Sequence, residues 1–366
     1  MWQLTNTRSM DQLATEFDWV ADMKGVPQDA IHHAEGDVFV HTGMVCAEME
    51  QLILQHNINE QDAHILRAAA LLHDVEKRST TIIEPGGRIT SATHARKGAA
   101  TARQLLYRNI ATPFAIREQI CGLVRYHSLP LWAIEKHDPQ RSVVEASFHV
   151  NTWHLSLLAQ ADVLGRISAD RAELLLKIQL FEQLCLENEC LGRQRAFTHE
   201  NARFHYFDKG GDINYVPFDD FGSQVVLTSG LPGAGKDTHV RKHYADWPVI
   251  NLDDIRKAHK ISPTDKSGNG TVIQLAKEQA KQYLRKQQNF VWNATNITQQ
   301  MRAQLVSLFV TYKAHVTIDY IEVPYKTLLK QNNNRPTAIP TAALERLVNK
   351  LEVPTVFEAH TVRYFV

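Results

Sequence analysis

Between residues 224 and 244 the sequence leaves few folds open. Gln224-Val225-Val226-Leu227-Thr228-Ser229 is a short apolar, β-branched run of the kind that forms a strand buried on both faces. Gly230-Leu231-Pro232-Gly233-Ala234-Gly235-Lys236-Asp237-Thr238 follows it, and helical spacing takes over from Thr238 to Tyr244. Glycines at these places let backbone N–H groups turn inward around an anion. The following helix start adds its partial positive charge, and Lys236 can reach the outer phosphates. The pattern is G-x-x-x-x-G-K in its strand–loop–helix setting, so Gly230, Gly233, Ala234, Gly235, Lys236, Asp237 and Thr238 are candidate contacts of a nucleoside triphosphate. One position departs from the usual form: Asp237 stands where a Ser or Thr hydroxyl normally meets Mg²⁺, and Thr238 is the nearest substitute.

The rest of this half alternates in the same way. Strand patterns at 248–252, 289–292 and 315–323 are separated by helical patterns at 271–288 and 299–313, with further helices at 325–334 and 341–351. Such alternation predicts a parallel sheet covered on both faces, with ligands at the carboxyl ends of its strands. Asp253, Asp254, Arg256 and Asn293 to Asn296 fall at those ends. A carboxylate there can take the proton of an attacking hydroxyl and an arginine can hold a phosphate; Asp253 can equally cap a helix beginning at Asp254.

Residues before about 200 read differently. Helical patterns recur from Gly43 to His56, Gln61 to Glu76, Thr93 to Arg108, Pro113 to His127 and on to about Leu191, and no strand alternation intervenes, so an all-α domain is expected. Of 18 histidines, 12 lie before residue 201. A single histidine on an apolar helix face is ordinarily a core residue. Here His73-Asp74 closes an apolar helix, while other helices each offer one more His or Asp. Neighbouring helix positions point about 100° apart, so the doublet can grip an ion only from the rim, with other helices completing the shell. Mixed imidazoles and carboxylates suit divalent transition metals.

These residues resemble, in order, the HD phosphohydrolase superfamily: His41-Thr42, then Leu71-Leu72-His73-Asp74-Val75-Glu76-Lys77, His94-Ala95-Arg96-Lys97-Gly98-Ala99, Leu123-Val124-Arg125-Tyr126-His127 and Ala161-Asp162. His94 and His127 are the histidines expected of members with two metals. The stretch His33 to Thr42 is also similar to the HD module of some bacterial tRNA nucleotidyltransferases, which hydrolyse 2′,3′-cyclic phosphates. The resemblance implies an all-α fold in which His33, His41, His73, Asp74, His94, His127 and Asp162 surround two divalent transition metals (Mn, Ni, Co, Cu, Fe or Zn), with His33 a ligand or a phosphate contact. Paired ions of this kind activate water and hold phosphate oxygens. Lys77, Arg78 and Arg166 are candidates to offset phosphate charge.

The other half resembles the polynucleotide 5′-kinase family. Asp253-Asp254-Ile255-Arg256 is similar to its acceptor motif, Asn293-Ala294-Thr295-Asn296 to its next one, and Asn332 to Pro340 with the following helix to its lid. The resemblance implies a P-loop kinase fold with a helical lid, in which Asp253 is the general base, Arg256 contacts the acceptor phosphate, and Lys236 and Arg335 hold the phosphates of ATP or GTP with Mg²⁺. Together the halves are similar to the bacterial HD-Pnk end-healing family, which implies a nucleic-acid end as substrate and an RNA ligase as functional partner. An HD nucleotidase joined to a small-molecule kinase is the alternative, since Gly-Lys-Asp-Thr is spaced like the Gly-Lys-Gly-Thr of adenylate kinases; a sensing scaffold without turnover is another.

Turn-rich sequence divides the chain into 1–205, a linker 206–221 and 222–366. The second part carries 19 Lys and Arg against 11 Asp and Glu, a basic balance that suits a polyanionic partner. No run approaches a membrane span or a signal peptide, and Cys46, Cys121, Cys185 and Cys190 show no C-x-x-C spacing, so a cytoplasmic protein with reduced thiols is expected.

Overall fold

The computed structural model describes every residue except 6, 7, 263, 264, 336 and 337, and all side chains of the remainder but that of Lys266. Part of the expected lid, Pro336, thus lies outside the described residues. The chain divides into two compact units, Met1–Ala196 and Phe197–Val366.

The first unit is built around the helix Thr152–Leu164, whose Leu155, Leu157, Leu158, Ala159, Ala161 and Val163 are all buried. A helix apolar on nearly every side belongs inside a bundle. The helices Val38–Gln55, Glu60–Leu72, Phe114–Tyr126 and Arg171–Glu187 pack against it. Gly165, just past its end, permits the closest approach: a Cβ there would lie 2.8 Å from the backbone nitrogen of Val45. That contact spaces the helix carrying Asp162 from the one carrying His41. The unit is not wholly helical. Pro85-Gly86-Gly87 turns the chain, and β1 (Ile82–Ile83) pairs antiparallel with β2 (Ile89–Thr90). Two-residue strands are too short to leave an alternation in the sequence.

In the second unit β3 (Ser223–Ser229), β4 (Val249–Asn251), β5 (Phe290–Asn293), β6 (Ala314–Ile321) and β7 (Thr361–Phe365) form one parallel sheet in the order β4-β5-β3-β6-β7. β3 is central and entirely buried except at Gln224, so the glycine loop springs from the middle of the sheet. β7 was not expected; it is a five-residue strand at the chain end, paired from Thr361 opposite Thr317 to Phe365 opposite Ile321. The expected boundary also shifts. The helix Glu200–Lys209 lies in the second unit, with Phe204 in one apolar core with Val225, Phe290, Val316 and Ala359. Arg203 donates to the carbonyl of His360 at 2.9 Å. Residues 200–209 therefore pack into the second unit through Ala202, Phe204, Tyr206 and Phe207, across the expected boundary at 205.

Among the described residues, no helix is long and apolar enough to cross a membrane. All four cysteines are free thiols.

Candidate active sites

Two of the candidate ligand histidines are helix C-caps. His73 ends Glu60–Leu72 and His127 ends Phe114–Tyr126. Each turns Nδ1 back onto a carbonyl of its own helix, His73 to Ala70 at 2.8 Å and His127 to Val124 at 2.9 Å. His94 begins a helix and turns Nδ1 onto the carbonyl of Ser91, in the turn before that helix, at 2.7 Å. A carbonyl only accepts, so each Nδ1 carries the hydrogen and each neutral ring presents a bare Nε2. His94 follows Thr93, held at φ 65°, an uncommon conformation for a β-branched residue.

These nitrogens meet around Asp74. Its Oδ2 is 3.2 Å from His73 Nε2 and 3.7 Å from His41 Nε2, and His41 Nε2 is 3.1 Å from Asp162 Oδ1. Its Oδ1 is 3.3 Å from His94 Nε2 and 3.9 Å from His127 Nε2. The result is three overlapping groups with metal-ligand spacing, His33–Glu35–His41, His41–His73–Asp162 and Asp74–His94–His127, with Asp74 Oδ2 reaching from the third toward the second. His41 Nε2, His73 Nε2 and Asp74 Oδ1 are buried without a hydrogen bond. Buried polar atoms are ordinarily partnered, so orphaned lone pairs converging at these distances fit the pair of divalent cations that the residue types imply.

Charge supports the same assignment. Burial works against the Asp74 carboxylate, but Lys77, 2.8 Å away, with His73 and His94 holds it well below the usual range. Asp162 is likewise held down against burial by Arg166, which bonds it through Nε at 3.0 Å, and by His41. Burial lowers His127 to about 3. It lowers His33 to about 4, with Lys77 and Arg166 contributing. Both carboxylates are ionised and these two imidazoles neutral at pH 7, as ligation requires, whereas at His41 burial is outweighed by the Asp162 and Glu35 contacts, which raise its pKa, so an ion there must displace a proton.

His33 lies outside the two groups that meet at Asp74; it belongs to the one with Glu35 and His41 and lines the adjoining cleft. Its Nδ1 contacts Glu35 Oε1 at 2.8 Å, and the same oxygen lies 2.9 Å from His41 Nδ1. Glu35 Oε2 accepts from Ile167 N–H at 2.9 Å. Sequence reasoning missed Glu35; its only signal was its place in the His33-to-Thr42 stretch. Arg78 is not at the centre, because it pairs with Asp22 and Glu76.

In the second unit the glycine loop runs from the end of β3 to the helix Lys236–His243. Gly230, at φ 153°, donates to Thr295 O at 2.9 Å, and a Cβ on it would lie 2.3 Å from Ile321 O. Only glycine fits there. Gly233 and Gly235 also adopt positive φ. Lys236 folds back onto the carbonyls of Gly230 (3.1 Å) and Leu231 (2.9 Å). Burial lowers its pKa to about 8, Arg335 contributing, while Asp237 and Asp253 oppose. Three predicted residues, Asp237, Arg335 and Asp253, thus act on the ammonium of Lys236.

Asp237 is exposed, yet its Oδ1 accepts from Asn293 Nδ2 at 2.6 Å. Thr238, next round the helix, meets Arg241 at 3.4 Å. Asn293 also takes the Thr228 hydroxyl at 3.0 Å, and Asn296 donates to Thr228 O at 2.8 Å. The Asn293–Asn296 segment is therefore a brace beneath the loop. Asn251 caps the helix Leu252–Ala258, accepting from Asp253 N–H at 2.9 Å, so Asp253 is not the cap. Its carboxylate is exposed and pairs with Arg256 at 2.6 Å; Arg256 Nε donates to Asn269 at 2.9 Å. Asn332 bridges residue 339 through both amide atoms, at 2.8 and 3.1 Å, clasping the described ends of the lid segment that carries Arg335.

A family model described as an HD domain matches residues 38–154, and one described as an AAA domain matches residues 225–354. No curated protein matches the chain. With the helical bundle and the five-stranded parallel sheet, these matches identify a chain that joins an HD phosphohydrolase domain to a P-loop kinase-like domain.

Proposed function

We propose that the chain heals nucleic-acid ends. The kinase-like half transfers the γ-phosphate of ATP or GTP to a 5′-hydroxyl end, and the HD half hydrolyses 2′,3′-cyclic, 2′- and 3′-phosphate ends. The observation that carries this reading is the Asp253–Arg256 pair just past the carboxyl end of β4, its carboxylate exposed and electrostatically coupled to Lys236. It offers a base and an anion-holding cation to a large acceptor.

In the transfer, the 5′-hydroxyl oxygen attacks the γ-phosphorus, its proton passes to Asp253, and the bond to the β-phosphate oxygen breaks. Lys236 exchanges its loop carbonyls for phosphate oxygens, and Arg335 adds charge from the lid. Arg256 leaves Asp253 for the acceptor phosphate, which frees the base. In the HD half, His41, His73 and Asp162 would hold one cation and Asp74, His94 and His127 the other, with His33 at the rim. Such ions lower the pKa of water and offset phosphate charge. Lys77 and Arg166 keep the carboxylates ionised. An RNA ligase is the expected consumer of the healed ends.

The test is direct. Labelled ATP or GTP with a 5′-hydroxyl oligonucleotide should yield a labelled 5′ end, lost in Asp253→Ala. An RNA ending in a 2′,3′-cyclic phosphate should be hydrolysed with a transition metal, and not by His73→Ala/Asp74→Ala. Transfer to free nucleosides but not to the oligonucleotide would establish a small-molecule kinase instead.

A further inference from the structure

Beside the histidine–carboxylate centre the first unit opens a cleft of about 370 Å³ that shares His33 and His94 with it. Two cations on its wall, Lys77 and Arg166, are committed to Asp74 and Asp162. Arg88, at the end of the turn between β1 and β2, is exposed and has no side-chain hydrogen bond or ion pair among the described residues. Trp132, Leu174 and Ile89 make part of the wall apolar. Trp132 is 45% exposed, yet its ring is held: Lys177 Nζ sits 4.5 Å from its centroid and is itself fixed by Glu135 at 2.9 Å and Glu173 at 3.3 Å.

Hydrolysis of a phosphate ester needs no aromatic group, so this wall has more chemistry than the reacting phosphate uses. A fixed, half-exposed indole in a cleft that also carries an uncommitted arginine recognises an unpaired base and the backbone next to it. The volume lies in the range of roughly 300–1,000 Å³ of small-molecule pockets, enough for one nucleotide and too small for a duplex. We propose that the cleft binds the 3′-terminal nucleotide of a single-stranded end, its base stacked on Trp132 and the phosphodiester on its 5′ side met by Arg88. The inference rests on the proposed hydrolysis of phosphate ends by the same centre.

The test uses the full, metal-loaded chain and three substrates: 2′,3′-cyclic AMP, a short RNA with a 2′,3′-cyclic phosphate end, and the same RNA with an abasic terminal residue. Trp132→Ala should raise KM for the first two by about 10-fold, the lower part of the effect of removing a stacking platform. It should leave kcat and the abasic substrate nearly unchanged, and Trp132→Phe should restore most of the loss. Arg88→Ala should raise KM for the RNA but not for cyclic AMP, which lacks the 5′-side phosphodiester. Anisotropy of a 5′-fluorescein RNA ending in a 3′-phosphate should show the same losses without turnover. Wild-type hydrolysis that Trp132→Ala leaves unaltered, or impairs equally on the abasic end, overturns the subsite alone. A wild type inactive on every cyclic phosphate overturns the reading beneath it.

Discussion

Replacing Glu35 by Gln tests the histidine centre with one atom. Glu35 Oε1 serves His33 Nδ1 at 2.8 Å and lies 2.9 Å from His41 Nδ1, while Oε2 takes the Ile167 N–H at 2.9 Å. The side chain is 1% exposed, so water cannot stand in. Glutamine has one acceptor and one donor end and cannot do both jobs. With its oxygen toward the histidines, its NH₂ opposes the Ile167 N–H and forfeits that bond at an exposed residue, at about 0.5–1.5 kcal/mol. With its oxygen toward Ile167, the NH₂ faces the imidazoles and drives their hydrogens to Nε2, covering the lone pair of His41 that faces Asp162. Loss of such an orienting partner lowers metal affinity by about 10–100-fold, which is about 1.4–2.7 kcal/mol. Calorimetric titration of the metal-free protein with Mn²⁺ or Ni²⁺, beside thermal melts without metal, separates the two outcomes. A Glu35→Gln protein that binds both ions with wild-type affinity and also melts with the wild type would refute this role for Glu35.

Three further outcomes follow from the geometry. Lys236, lowered to about 8 by burial with Arg335 contributing, regains its charge when phosphate binds, so its bound pKa is the higher one. Its contribution is complete below pH 8, and triphosphate affinity should fall by up to about tenfold per unit above it, with proton uptake measurable by calorimetry in two buffers; a flat profile to pH 9.5 contradicts this. Arg302 is fully buried and clamps Glu358 through two bonds of 2.6 and 2.9 Å while donating to the carbonyls of Asn296 and Glu352. Arg302→Ala should therefore destabilise the second unit by about 3–5 kcal/mol in denaturant unfolding. Gly165→Ala, which sets a Cβ 2.8 Å from Val45 N, should cost about 1–3 kcal/mol and weaken metal binding, because it pries apart the helices of His41 and Asp162.

Much of this architecture was legible in the sequence because it rests on short-range rules. A glycine loop between a buried strand and a helix has one reading, and β5 and β6 announced themselves by apolar runs. The metal residues were legible as types in order, but the bare Nε2 atoms were not, since they depend on carbonyls three residues back along the folded chain. Glu35 looked like an ordinary loop charge; only the turn that returns the chain through Gly36 to His41 gives it two imidazoles. Helix 200–209 was obscured because its buried Phe204, Tyr206 and Phe207 sit among charges and run into Gly210-Gly211. The partner of Asp237 lies 56 residues away, at the end of β5, and no local pattern can announce that.

The inward-turned Nδ1 atoms have a consequence for how the centre is filled. Each of His73, His94 and His127 has settled its ring rotation and tautomer against its own backbone before any ion arrives. Capture then needs little side-chain search, and the rate of loading is set by passage through the mouth of the cleft. Nitrogen donors exclude Ca²⁺, which takes six to eight oxygens. Among first-row metals the remaining preference is the intrinsic ladder that rises to Cu²⁺. Discrimination among those metals passes to the cell's metal supply, so preparations grown in different media should differ in occupant while sharing one ligand geometry.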